Sequence, residues 1–369
     1  MRSYKWGVAF TVVAMTLTLG ACGDDDGGDG GSASTAAKPA GKVGVILPDS
    51  ASSARWETAD RKYLSEAFAA AGVEFDIQNA QNDKAKFQTI AEGMLSAGVK
   101  VLLIANLDNE SGSTVIQKAT DVGVPVIDYD RLTLGGGAKY YVSFDNVMVG
   151  TKIGEGLVGC MQANGDESGP VVLLNGSPDD NNATLFRQGY EKVLKDAGYS
   201  FVADQAVKGW DNTEAKTVFE QIFTKTKGKF VGVASANDGL GGSVVSVLDQ
   251  NGLAGKVPVS GQDATDEGLQ RVLLGTQCVT VYKAIKKEAD AAAELAIALI
   301  KGDVAAADAL ASGKAADTTL NTEVPSVLLE PAGIGKAEVK DVIADGYTTV
   351  DKVCTTAELK KACAANGIG

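Results

Sequence analysis

The chain alternates short apolar, β-branched runs with longer amphipathic stretches, and this alternation constrains its fold more than any other feature. Runs of strand length separated by stretches of helix length indicate parallel sheets that are covered by helices on both faces. The pattern forms two successive series, so we predict an α/β fold of two doubly wound lobes. The predicted strands are 42–48, 73–80, 99–105, 124–130 and 140–145, then 170–175, 201–206, 230–236 and 257–261. The predicted helices are 54–71, 83–97 and 111–122, then 146–163 and 183–197.

The last third of the chain adds a strand at 279–283, an alanine-rich helix at 284–301 and a strand at 324–329. In a two-lobed molecule these segments can return to the first lobe and then to the second. We therefore predict a three-strand hinge, with crossings near Phe144-Asp145, Thr280 and Leu328, that lets the lobes close. The predicted boundaries are 42–144 plus 281–327 for lobe 1, 145–280 plus 328–350 for lobe 2, and 351–369 for a C-terminal tail.

The N-terminus has the layout of a secretory signal peptide over residues 1–21. Arg2 and Lys5 precede an apolar run at 6–19, which small residues close. A short transmembrane anchor is the alternative, but the run is shorter than a bilayer requires. The sequence Leu-Gly-Ala-Cys, ending at Cys22, resembles a bacterial lipobox, in which the cysteine carries acyl chains. Residues 22–41 are rich in Gly, Ser, Ala and Asp, which is typical of a flexible tether. We therefore expect an exported protein, anchored by lipid at the outer face of the cytoplasmic membrane or in the periplasm.

Charge and residue usage exclude several classes of function. The 34 basic and 47 acidic residues give a net charge of −13, and no basic stripe is present, so a nucleic-acid partner is not expected. The chain has no histidine, which removes ordinary Ser-His-Asp and Cys-His catalysis. Four cysteines remain after Cys22. Cys354 with Cys363 and Cys160 with Cys278 are possible disulfides in an exported chain. Zinc is the alternative, but there is no paired C-x-x-C, so we predict no metal.

The sequence from Gly154 to Gly159 matches G-x-G-x-x-G, which raises the alternative of an enzyme with a nucleotide cofactor. That motif requires a strand immediately before it, whereas here it lies inside a predicted helix. We therefore expect no cofactor and no enzyme.

Polar and aromatic side chains recur where the predicted strands end, which is where open α/β sheets bind ligands. Carboxylates beside cationic groups satisfy sugar hydroxyls, since a hydroxyl both donates and accepts. An indole can cover the C–H face of a pyranose. Each position also has an ordinary alternative, because Asp and Asn at strand ends cap helices and Trp packs in cores. The strand-end residues are Arg55, Trp56, Asp128, Asp130, Arg131, Asp180, Asn181, Asn182, Lys208, Trp210, Asn237, Asp238, Asp263 and Lys283.

From about residue 43 to 347 the chain resembles the periplasmic sugar-binding proteins of the ribose/galactose/xylose type, which serve ABC importers. The resemblance is strongest to their D-xylose-binding subfamily. It rests on RW at 55–56, YDR at 129–131, SFDN at 143–146, GSPDDNNA at 176–183, ASAND at 234–238, GQDA at 261–264, GTQCVTVYK at 275–283 and ADTTLN at 316–321.

The resemblance implies a type I periplasmic binding protein fold and capture of a monosaccharide, with D-xylose as the first candidate. It implies that Trp56 and Trp210 sandwich the sugar ring. The residues that it implies bond to the sugar are Arg55, Asp130, Arg131, Asn182, Asn237, Asp263 and Lys283. The implied partner is the ABC permease, and we expect a monomer.

Three alternatives belong to the same two-lobed core. Transcription regulators carry an N-terminal helix-turn-helix, which is replaced here by the signal and tether. A co-receptor for chemotaxis or a sensor kinase would share the same ligand chemistry. Another aldose, such as glucose, galactose or arabinose, differs from xylose by too little for the sequence to separate them.

Overall fold

The computed structural model describes residues 41–369. The predicted signal peptide, the predicted lipidation site at Cys22 and the predicted tether up to residue 40 lie outside the described residues. None of the helices in the described part is long and apolar enough to cross a bilayer.

Lobe 1 is built on a seven-stranded sheet in the order β10-β11-β5-β4-β3-β1-β2, in which only the β10–β11 pair is antiparallel. A single turn of π-helix over Trp56–Asp60 precedes its first α-helix. Its strands are β1 (Lys42–Leu47), β2 (Glu74–Asn79), β3 (Val101–Ile104), β4 (Val126–Tyr129), β5 (Tyr140–Phe144), β10 (Gly313–Asp317) and β11 (Thr322–Leu329), and its helices are α1 (Arg61–Ala71), α2 (Lys84–Ser96), α3 (Asn109–Asp121), α9 (Ile285–Ile300) and α10 (Val304–Leu310).

Lobe 2 is built on the parallel strands β7-β6-β8 and the antiparallel pair β9–β12. Short 3-10 turns lie at Lys208–Trp210 and Lys336–Glu338. Its strands are β6 (Pro170–Asn175), β7 (Ser200–Ala206), β8 (Gly232–Ser235), β9 (Thr280–Tyr282) and β12 (Ala332–Ile334), and its helices are α4 (Asn146–Ala163), α5 (Asn181–Asp196), α6 (Asn212–Thr226), α7 (Asp238–Gln250), α8 (Asp266–Leu274), α11 (Val339–Ala344), α12 (Val350–Val353) and α13 (Ala357–Ala365).

The chain passes between the lobes three times: from β5 to α4, from β9 to α9 and from β11 to β12. These passages lie beside the three predicted crossings. The predicted α/β fold class with two mostly parallel lobes is confirmed. The segment predicted as a tail folds into α12 and α13, and its residues Val353, Leu359 and Cys363 are buried in a core that includes α8 of lobe 2.

The predicted strand at 257–261 is present only as two isolated parallel bridges, from Val259 to Val233 and from Ser260 to Val279. Two local features explain the difference. Pro258 has no N–H to donate, and the hydroxyl of Ser260 accepts from the N–H of Ser235, 3.0 Å away, where a backbone carbonyl would otherwise accept.

The glycine motif of residues 154–159 lies in the middle of α4, as predicted, and its surroundings explain glycines on this helix. A Cβ on Gly150 would overlap the carbonyl oxygen of Phe186 in α5, and a Cβ on Gly189 would overlap the carbonyl of Val147. Helices α4 and α5 therefore pack backbone to backbone. This close approach explains Gly150 and Gly189, and a Cβ on Gly154 of the motif would likewise meet the backbone of Tyr190.

We expect Gly150→Ala to lower the free energy of unfolding by about 1–3 kcal/mol, since the new methyl group meets rigid backbone. Gly159 lies on the same helix, and a Cβ there meets nothing within 4 Å. Gly159→Ala is therefore the matched control and should be neutral or stabilising by up to about 1 kcal/mol. Urea denaturation of both variants checks the difference. Equal destabilisation would contradict the close packing of α4 on α5.

Both expected cysteine pairs are joined by disulfides in the structure. Cys160 of α4 is bonded to Cys278, which comes just before β9, and their Cα atoms are 6.4 Å apart. Cys354 is bonded to Cys363 of α13, with a Cα separation of 6.2 Å. Both bridges lie within lobe 2.

Candidate functional site

A cavity lies between the two lobes, at the carboxyl ends of the sheet strands. All nine residues of the predicted ligand set line it. Lobe 1 contributes six lining residues, lobe 2 contributes seven, and Lys283 comes from the hinge. The lining residues are Ser52, Ser53, Arg55, Trp56, Asp130, Arg131, Asp180, Asn182, Phe186, Trp210, Asn237, Gln262, Asp263 and Lys283.

Asp130, directly after β4, is an acceptor shared by three of these residues. Its Oδ2 accepts from Arg55 Nη1 and from Lys283 Nζ, each at 2.8 Å, and its Oδ1 accepts from Asn182 Nδ2 at 3.1 Å. Burial acts to raise the pKa of Asp130, but the neighbouring Lys283 and Arg55 charges outweigh it and hold the pKa well below its usual range. Asp130 is therefore an ionised carboxylate that joins lobe 1, lobe 2 and the hinge.

Arg131 and Asp180 face each other across the lobes. Arg131 Nε lies 3.1 Å from Asp180 Oδ2, close enough for an ion pair but not aligned as a hydrogen bond. Asp180 also caps α5 by accepting from the N–H of Asn182 at 2.9 Å, and it accepts from the indole N–H of Trp210 at 3.1 Å. One carboxylate thus orients a cation, an indole and a helix.

Aromatic groups form two walls of the cavity. The guanidinium carbons of Arg55 and Arg131 lie 4.5 and 5.3 Å from the ring centre of Trp56. On the lobe 2 side, Trp210 meets Phe186 edge to face at 6.4 Å. Gly176 makes room for that indole, because a Cβ there would overlap the Trp210 ring.

Asn237 and Asp263 bring lobe 2 into direct contact with the loop before the π-helix. Asp263 Oδ2 accepts from Ser53 Oγ at 3.0 Å, and Asn237 Nδ2 lies 3.5 Å from the carbonyl of Ser52. Asn237 also caps α7 by accepting from the N–H of Leu240 at 2.9 Å. Asn237 therefore caps a helix and also lines the cavity.

Three cavity residues other than glycine adopt positive φ angles: Asp130 at 63°, Trp210 at 56° and Asp263 at 101°. Such conformations cost about 1–3 kcal/mol each and persist only where the surroundings enforce them. Backbone strain at three residues of one cavity indicates that the directions of these side chains are maintained at a cost in local stability.

Asp128 and Asp238 are predicted strand-end residues that lie behind the cavity instead of lining it. Asp128 accepts from the N–H and hydroxyl of Thr133, at 2.7 and 2.8 Å, and so fixes the loop that carries Asp130. Asp238 accepts from the N–H of Thr265 at 2.9 Å and fixes the loop that carries Asp263. Burial raises the pKa of Asp128 to about 7 and that of Asp238 to about 6.

The cavity is balanced in charge. Its three cations are Arg55, Arg131 and Lys283, and each lies within 3.1 Å of a carboxylate. The three lining carboxylates are Asp130, Asp180 and Asp263. Such a site favours an uncharged molecule that both donates and accepts hydrogen bonds, since an extra charge would be left unpaired.

Five lining residues were outside the predicted ligand set: Ser52, Ser53, Asp180, Phe186 and Gln262. Asp180 is a predicted strand-end residue, and its place before two asparagines was the available signal. Phe186 lies inside an amphipathic helix, where the sequence pattern does not separate a core position from a cavity wall.

A family model described as periplasmic binding protein domain matches residues 43–303. The chain belongs to the periplasmic binding protein family. Members and relatives of this family are solute-binding proteins and not enzymes.

Three relatives illustrate the similarity. The D-xylose-binding periplasmic protein of Escherichia coli is 36% identical over 83% of this chain and 90% of its own length. The multiple sugar-binding periplasmic receptor ChvE of Rhizobium radiobacter is 32% identical over 85% of this chain and 92% of its own. A crystal structure of an ABC transporter solute-binding protein from Clostridium phytofermentans, with bound β-D-glucose, is 29% identical. It superposes with a TM-score of 0.74 and covers 85% of this chain and 99% of that one.

Proposed function

We propose that this protein captures a monosaccharide, with D-xylose as the first candidate, and delivers it to the permease of an ABC importer. The observation that carries this proposal is the charge-balanced cavity, in which three cations paired with carboxylates stand beside Trp56 and Trp210. The two indoles would cover the apolar faces of the ring, and the paired charges would bond to its hydroxyls.

The hydrogen-bonding capacity left in the cavity supports a polyhydroxylated ligand. An arginine has five N–H donors. Four of those on Arg55 are bonded to carboxylates, which leaves one N–H on Nη1 without a partner among the described residues. Lys283 has three donors, of which one is bonded to Asp130. The remaining N–H donors lie beside carboxylate oxygens, which are acceptors. A sugar hydroxyl both donates and accepts, so a set of hydroxyls can bond to both kinds of group.

The relatives support a monosaccharide. The E. coli relative is a D-xylose-binding protein, and the C. phytofermentans structure holds β-D-glucose. We place D-xylose first because the E. coli relative, which is 36% identical to this chain, is named as a D-xylose-binding protein.

Capture would proceed by hinge closure. Hydrogen bonds and ion pairs pass directly between the lobes at Ser53–Asp263, Arg131–Asp180 and Asp130–Asn182. A sugar that bonds to both walls would add to these contacts only when the lobes are closed. Its differential affinity would then shift the open–closed equilibrium toward the closed form.

We further propose that the acylated Cys22 holds the protein at the membrane, with residues 22–41 as its tether. The relatives are named as periplasmic proteins, which supports export.

Delivery to a permease is supported by the ABC transporter assignment of the C. phytofermentans structure. A sensory co-receptor is the second candidate, because the R. radiobacter relative is named as a receptor.

Calorimetric titration of the purified protein against D-xylose, D-glucose, D-galactose, L-arabinose and D-glucuronate tests the proposal. We expect heat with neutral sugars, tightest binding of D-xylose, and none with glucuronate, whose carboxylate would stay unpaired in a balanced cavity. Arg131→Met should weaken binding by about 1.5–3 kcal/mol. Lys100→Met, at an exposed position of lobe 1, is the matched control. No heat with any neutral monosaccharide would overturn the proposal.

A further inference from the structure

Behind the cavity wall lies a buried carboxyl group with no part in the predicted ligand set. Glu288, in the first turn of α9, is fully buried and does not line the cavity. Its Oε2 accepts from Arg55 Nη2 at 2.9 Å. Its Oε1 is buried without a hydrogen-bond partner among the described residues. An ionised carboxylate with a bare buried oxygen is costly, so this group requires an explanation.

Glu288 belongs to a hydrogen-bonded cluster of charges around Arg55. The carboxylates that bond to Arg55 come from three elements: Asp60 from the π-helix, Asp130 from the end of β4 and Glu288 from α9. Lys283 is the second cation, through Asp130. If all three acids were ionised, the cluster would carry one uncompensated negative charge. One proton on one of the acids makes it neutral.

Hydrogen bonding decides which acid holds that proton. Asp60 accepts from Arg55 Nε at 2.9 Å, from Arg55 Nη2 at 2.6 Å and from the hydroxyl of Tyr129 at 2.7 Å. Asp130 accepts from Arg55, Lys283 and Asn182. Three bonds to each of these carboxylates stabilise their ionised forms. Glu288 accepts a single bond, which makes it the acid that the cluster leaves protonated.

The surroundings of Glu288 agree with this assignment. The charged and titratable groups that face it are Arg55, Asp60, Asp130 and Lys283, with the hydroxyls of Tyr129 and Tyr141 from β4 and β5. Burial, opposed mainly by Arg55, raises the pKa of Glu288 well above its ordinary value.

We propose that Glu288 is a positioning residue that acts as a neutral acid and fixes the Arg55 guanidinium, so that the one uncommitted Nη1 N–H of Arg55 serves the sugar. Glu288 occupies the fourth of the five donors of Arg55, and Asp60 and Asp130 occupy the other three. The proposal rests on the proposed function, because the role of Arg55 is binding to the sugar.

Glu288→Gln tests the proposal, because Gln has the shape of the neutral acid. We expect Glu288→Gln to bind D-xylose at neutral pH within about twofold of the unchanged protein. Glu288→Ala leaves an N–H of Arg55 without an acceptor and should weaken binding roughly tenfold to a hundredfold.

The sugar affinity of the unchanged protein should fall as the pH is raised far enough to ionise Glu288, whereas that of Glu288→Gln should not. Asp128 and Asp238 are present in both, so only the difference between the two pH profiles reports on Glu288.

Infrared difference spectroscopy on the sugar-free protein supplies a second readout. The unchanged protein at neutral pH should show a protonated-carboxyl band that Glu288→Gln lacks. If no sugar binds at all, the proposed function fails while this band still reports on Glu288. Tenfold weaker binding of Glu288→Gln at neutral pH, with its melting temperature unchanged, would overturn the proposal. A difference spectrum between the two proteins without a protonated-carboxyl band would also overturn it, because Asp128 and Asp238 contribute equally to both and cancel.

Discussion

Replacing Asp130 by Ala is expected to lower the free energy of unfolding by about 3–5 kcal/mol, because it leaves buried cations without their carboxylate. Arg55 and Lys283 both bond to Asp130, and each is only 3% exposed. Arg55 retains Asp60 and Glu288, but Lys283 has no other carboxylate partner among the described ion pairs. Sugar affinity should fall at least about a hundredfold, since both cations would lose the geometry that aims them at the ligand.

Two further variants separate charge from backbone conformation at this position. Asp130 has a φ of 63°, which Asn tolerates better than Ala does. Asp130→Asn should therefore fold more stably than Asp130→Ala while still binding sugar weakly. The double variant Asp130→Ala with Lys283→Met should regain part of the lost stability, because the unpaired ammonium is gone. Urea denaturation and titration with D-xylose measure both effects. Unchanged affinity in Asp130→Ala would remove Asp130 from the site.

Most of the fold followed from periodicity, because buried parallel strands and amphipathic helices have distinct patterns. The strand ends then located the cavity, since parallel strands deliver their carboxyl ends to one edge of the sheet. This is why Asp130, Asn237 and Asp263 could be chosen from the sequence although they are far apart in it. The charge pattern alone could not separate Asp128 from Asp130, which are two residues apart. Asp130 lines the cavity, whereas Asp128 lies behind it and bonds to Thr133.

The parts that the sequence did not predict depend on tertiary contacts. Glu288 lies on a helix whose buried face is otherwise alanine, isoleucine and leucine. In such a helix the sequence pattern predicts that a carboxylate faces solvent. Its partner Arg55 is 233 residues away, and no local pattern connects them. The π-helix at Trp56–Asp60 likewise has no periodicity of its own, yet Asp60, at its end, bonds to Arg55.

Removing the Cys160–Cys278 disulfide is expected to cost about 5 kcal/mol of stability in the chain-entropy account, because the bridge closes a loop of 118 residues. Cys160 lies on α4, the helix by which the chain enters lobe 2, and Cys278 precedes β9, the strand by which it leaves. The bridge therefore encloses almost the whole central segment of lobe 2. In the unfolded chain its loss frees that segment, and the folded state gains nothing in return.

The Cys354–Cys363 bridge provides the comparison within the same lobe. It spans nine residues, so the same account gives about 3 kcal/mol for its removal. Double alanine variants of each pair should therefore differ by about 2 kcal/mol in urea denaturation, and the longer bridge should matter more. Core packing works against this order, because Cys354 and Cys363 are almost fully buried whereas Cys160 and Cys278 are only partly buried. Sugar affinity should stay unchanged in both, since none of the four cysteines lines the cavity. A larger loss from the short bridge would show that core packing, and not loop closure, sets the contribution of these disulfides.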